Sequence, residues 1–178
     1  MNIGYVAVET FIPWKKYKQW SRLFQVKEII SLDCALCPSI VKDRDIESKY
    51  RCFPKYGFYY DILNNLNVLL KNVDNREEKQ ILAVVRKPKY DCSNVLLDKR
   101  FKFYGYDLIE DSTRISALTN CGRFDKAFSS NDISEFGLIK EYKKAKEIQS
   151  LLLENYPDEE HVDCVLWGIW RMEDNSRR

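Results

Sequence analysis

Residues 161–172, "HVDCVLWGIWRM", constrain the fold more than any other stretch of the chain. Both alternating sets of this run are apolar: Val162, Cys164, Leu166 and Trp170 on one, Val165, Trp167 and Ile169 on the other. A strand that is apolar on one set covers a single face. One that is apolar on both belongs in the middle of a sheet with both faces covered. The chain must therefore supply neighbouring strands and a layer on each side. Its 178 residues are enough for one domain that buries roughly 70% of its unfolded surface.

The remaining elements follow from periodicity. "IGYVAV" (3–8), "KEIISL" (27–32), "QILAVVRK" (80–87) and "RFKFYGYDLI" (100–109) read as strands, with Gly105 marking a bulge or a close approach. Pro13 can open a helix through "PWKKYKQWSRLFQ", because its missing N–H costs nothing in a first turn. In "YGFYYDILNNLNVLLKNV" (56–73), Tyr59, Ile62, Leu63, Leu66, Leu69, Leu70 and Val73 recur at spacings of three and four, which predicts a long amphipathic helix. A further helix places Leu138, Tyr142, Ala145, Ile148 and Leu152 on one face and is closed by Pro157, with Asp132 and Glu135 spaced as a capping box. These elements give an α+β fold: a single domain over 1–172, a mixed or antiparallel sheet of four to six strands, two or three packed helices, and a flexible tail at 173–178.

Charge removes several classes of function. With 29 basic and 27 acidic residues the net charge is +2, so the chain as a whole has no drive towards nucleic acid or anionic lipid, and any electrostatic role must come from local patches. The opening "MNIGYVAVETFIPW" has no basic leader or apolar signal core, and no apolar run approaches a membrane span. The expectations are a cytoplasmic protein with no membrane partner, whose six cysteines are reduced thiols.

Each candidate for chemistry has a plainer explanation beside it. Cys34 and Cys37 form a "CALC" pair before Pro38, but no amphipathic helix follows to lower a thiol pKa. Zinc at Cys34, Cys37 and Cys52 would need a fourth ligand and a second close pair. Small buried thiols fit these residues better. Cys121 lies in the turn "TNCGRF", where a nucleophile would need a base; the one histidine, His161, sits in the acidic "DEEHVD", which favours imidazolium over a neutral base. No phosphate loop, dinucleotide fingerprint or spaced carboxylate pair occurs. No catalytic, cofactor-binding or metal-ligating residue is assigned.

Two patterns suit binding. The first helix and "KRFKFYGY" interleave basic and aromatic residues, as nucleic-acid binders do, although a solvated helix face and a half-buried strand explain the same letters. Acidic clusters occur at Asp107, Glu110 and Asp111 and at Asp158, Glu159, Glu160 and Asp163. Such runs are commonly solvated loops, but carboxylates can also steer a basic partner, with aromatic anchors beside them. The partner-facing residues expected on this basis are Tyr104, Tyr106, Asp107, Glu110, Asp111, Arg114 and Phe124.

The stretches "GYDLIEDSTRISALTNCGRFDKAFSSNDISEFGLI" and "AKEIQSLLLENYPDEEHVDCVLWGIWR", together with "SLDCALCPSIV", resemble small bacterial proteins encoded beside polymorphic or contact-dependent growth-inhibition toxins and regarded as immunity proteins. The resemblance covers most of the chain and is strongest over residues 100–171. It implies a non-enzymatic role, in which the protein binds the C-terminal domain of one cognate toxin and occludes its active site or substrate path. It carries over no catalytic residues and does not fix the docking face. A nucleic-acid-binding module, and after it a thiol- or zinc-dependent enzyme, are the alternatives.

Overall fold

The doubly apolar strand lies where its sequence demands. In the computed structural model, which describes residues 2–18, 23–41, 46–53, 57–73, 79–95, 97–119 and 124–173, four antiparallel strands form one sheet: β1 (Ile3–Glu9), β2 (Lys79–Arg86), β3 (Phe101–Glu110) and β4 (Cys164–Met172), in the order β1-β2-β4-β3. The last strand in sequence is thus interior, between β2 and β3. Both of its tryptophans are buried, on opposite faces. Trp167 packs against Tyr59 and Phe53, with ring centroids 5.1 and 5.5 Å away. Trp170 packs against Phe103 at 5.0 Å. The fold is α+β with an antiparallel sheet, as the periodicity predicts.

Among the described residues the helices that accompany the sheet are α1 (Lys15–Lys18), α2 (Leu66–Lys71) and α3 (Tyr142–Asn155). α3 buries Ala145, Ile148 and Leu152 against β3 and β4. α2 packs on β1, where Leu63, Leu69, Ala7 and Ile81 form a second, smaller core. The sheet curls so far that Tyr5 and Phe101, on its two edge strands, bring their rings within 5.7 Å. Among the described residues the face that carries Trp167 has no helix of comparable length; it is covered by side chains from Leu23–Cys37, from Phe53 and from Tyr59–Ile62.

Two predicted elements are not formed as expected. "KEIISL" makes a single bridge, Ile29 to Phe11, while the amides of Lys27 and Ile30 bond to the carbonyls of Glu135 and Phe136. The long helix over 56–73 is confined to α2, preceded by a 3-10 turn at Gly57–Tyr59. Leu63 instead exchanges both backbone bonds with Tyr5 of β1, at 2.7 and 2.8 Å. Asn65 then starts α2 by accepting from the amides of Asn67 and Val68. The capping box is one step earlier than the spacing suggests, pairing Ser129 with Asp132 over a 3-10 turn. Residues 174–178 of the predicted tail lie outside the described residues.

Gly105 is a bulge, as its place in the strand suggests. The register of β3 on β4 shifts between Phe103 and Gly105, and Gly105 has φ +145. A Cβ there would meet the Ile139 carbonyl oxygen at 2.6 Å, the same oxygen that accepts from the Tyr106 amide. Gly105→Ala should therefore destabilise the fold by about 2 kcal/mol or more, from strain and a lost close approach. Urea denaturation measures this directly; an unchanged midpoint would contradict it.

Candidate functional site

The turn that follows β3 gathers the polar residues of one end of the molecule. Glu110 ends the strand, and Arg114, at φ +57, reverses the chain. Residues 115–117 then run back along the strand edge, with the Glu110 amide bonded to the Ile115 carbonyl and the Ala117 amide to the Leu108 carbonyl. This return leaves the Arg114 side chain pointing inward. Its Nε donates to the Leu32 carbonyl at 2.9 Å, and its Nη1 donates to the Phe58 carbonyl at 2.9 Å and to Asp61 Oδ1 at 2.6 Å. The guanidinium also lies 5.6 Å from the centroid of the Tyr59 ring. One side chain thereby ties three chain segments together.

Two buried carboxylates extend the tie. Asp33 accepts from the amides of Ala35 and Leu36 with one oxygen and from the Ser116 amide and the Thr119 hydroxyl with the other. Asp107 accepts from the hydroxyls of Ser31 (2.5 Å) and Ser116 (2.6 Å) and from the Leu108 amide (2.8 Å). Burial lifts the Asp107 carboxyl from its ordinary 3.8 to about 6, against the pull of the two serine hydrogen bonds and with some help from the charge of Asp33.

Nearer the surface, Asp111 accepts from the Tyr59 hydroxyl at 3.0 Å and pairs with Arg86 of β2. Glu110 Oε2 lies 2.6 Å from His161 Nδ1 and also accepts from Thr113. Burial alone would raise the Glu110 carboxyl, but the hydrogen bonds from Thr113 and His161 outweigh it and hold it below the usual range. His161, at φ +67, anchors the acidic loop before β4 to the turn after β3.

The seven residues expected to face a partner separate accordingly. Tyr106, Asp107, Arg114 and Phe124 are 0%, 1%, 3% and 2% exposed, so they belong to the interior and offer no surface. The acidic and aromatic letters of this stretch serve its internal bonding. Tyr106 donates to Asp91 and accepts from the Cys92 amide, and Phe124 packs edge-on against Tyr156. Tyr104 lies at the far end of β3, donating to Glu173 beneath the Arg171 guanidinium. Glu110 and Asp111 are half-buried members of the network. The surface beside them is made of residues not expected from the sequence: Phe58, 52% exposed, and Tyr60, 43% exposed, on the loop whose carbonyl Arg114 holds. The aromatic run "YGFYYD" signals them, but helical periodicity picks out Tyr59 for the apolar face and neither Phe58 nor Tyr60. Asp158, Glu159, Glu160 and Asp163 are exposed on the loop that His161 anchors.

The thiols have separate surroundings. Cys34 Sγ lies 3.3 Å from the Thr113 carbonyl, Cys37 Sγ 3.6 Å from the Ile29 carbonyl and Cys52 Sγ 3.6 Å from the Ile3 carbonyl. Burial pushes the Cys52 thiol up to about 11 and raises those of Cys34, Cys37, Cys92 and Cys164, leaving each a poor nucleophile at neutral pH. Among the described residues, no three His, Cys, Asp or Glu side chains are grouped to hold a metal, and no helix is long and apolar enough to cross a membrane. Cys121 lies outside the described residues. No family model matches the chain, and comparisons with curated proteins and with solved structures give no significant match.

Asp107 gives this network a pH signature. A carboxyl with a raised folded-state pKa favours folding in its protonated form, so that contribution is complete below about pH 4 and is lost as the pH rises through about 6. Between those limits, wild-type stability should fall by about 2 kcal/mol relative to Asp107→Asn, which does not titrate. Paired urea titrations across that range test this; a constant difference between the two proteins would contradict it.

Proposed function

We propose that this chain is an immunity protein that binds the C-terminal domain of a cognate bacterial toxin and neutralises it by covering its active site or substrate path. The reading rests first on the resemblance carried by residues 100–171. The observation that supports it most is the rigid end of the sheet, where one buried network fixes both an aromatic loop and an acidic loop. Arg114 holds the carbonyl of Phe58, and Glu110 holds His161 beside Asp158, Glu160 and Asp163. A surface ordered before docking loses less entropy on binding. Exposed carboxylates speed the approach of a basic partner, and a large exposed ring supplies an anchor.

On this reading the roles are divided. Phe58 and Tyr60 make contact, the carboxylates of 158–163 steer, and Arg114, Asp61, Glu110 and His161 hold the others in place without touching the partner. Each role leaves a different trace in binding kinetics.

Co-expression with the C-terminal domain of the toxin encoded beside it should give a complex that survives purification. Asp158→Lys with Glu160→Lys should slow association about tenfold at low salt with little change in dissociation. Phe58→Ala should instead speed dissociation by about tenfold or more. Surface plasmon resonance separates the two effects. Failure to capture the toxin domain would refute the function, and capture with kinetics indifferent to all three substitutions would move the interface to another face.

A further inference from the structure

We draw no further inference here: the strongest candidate, the set of exposed apolar side chains Ile12, Trp14 and Phe24 on the surface segment that follows β1, carries none because nothing in the structure shows what covers it.

Discussion

The Arg114–Asp61 pair is the interaction on which the irregular half of this molecule depends. Their side chains are 4% and 0% exposed, so both charges have been taken fully out of water. A buried pair contributes little net stability, because desolvation consumes most of the attraction. Its importance is conditional: once the rest of the structure has buried one partner, removing the other costs about 3–5 kcal/mol. The guanidinium also answers the carbonyls of Leu32 and Phe58, and Asp33 and Asp107 answer the amides and hydroxyls around Ser31 and Ser116. The chain covering the Trp167 face has no ladder of its own. Among the described residues its backbone groups are met partly by isolated backbone bonds to other segments and partly by these few side chains.

That arrangement explains which parts of the fold are legible in the sequence. Strands β2 and β4 are apolar and buried on both alternating sets, and α3 buries Ala145, Ile148 and Leu152 of its predicted face, although it starts at Tyr142 and leaves Leu138 in the segment before it. "KEIISL" has strand-like letters, yet its backbone bonds go to a loop at residues 135–136, a partner that no local pattern can announce. The apolar spacing of residues 59–73 is equally real. It is spent on two surfaces, with Tyr59 and Ile62 in the main core and Leu63 and Leu69 in the second, and the chain breaks at Asn64–Asn65 to reach both. The site shows the same asymmetry. The polar density of residues 107–114 marks the place, but a sequence cannot distinguish a carboxylate that meets a partner from one that meets Ser31 and Ser116. Phe58 escaped notice because its neighbours Tyr59 and Ile62 fit a helix so well.

An antiparallel sheet has two ends, and at each of them residues far apart in sequence meet: Tyr59 with Asp111 and Glu110 with His161 at one, Phe11 with Ile29 at the other.

If a few buried side chains hold the loops of residues 33–36 and 110–117 as firmly as the sheet is held, those loops have no soft mode of their own. Native-state hydrogen exchange tests this directly on the amides of Ala35, Leu36 and Ser116, which bond to Asp33, and of Cys34, which bonds to the Arg114 carbonyl. These amides should open only with the whole molecule, at free energies within about 1 kcal/mol of those for the central amides of β4. Exchange through local openings several kcal/mol cheaper would contradict it.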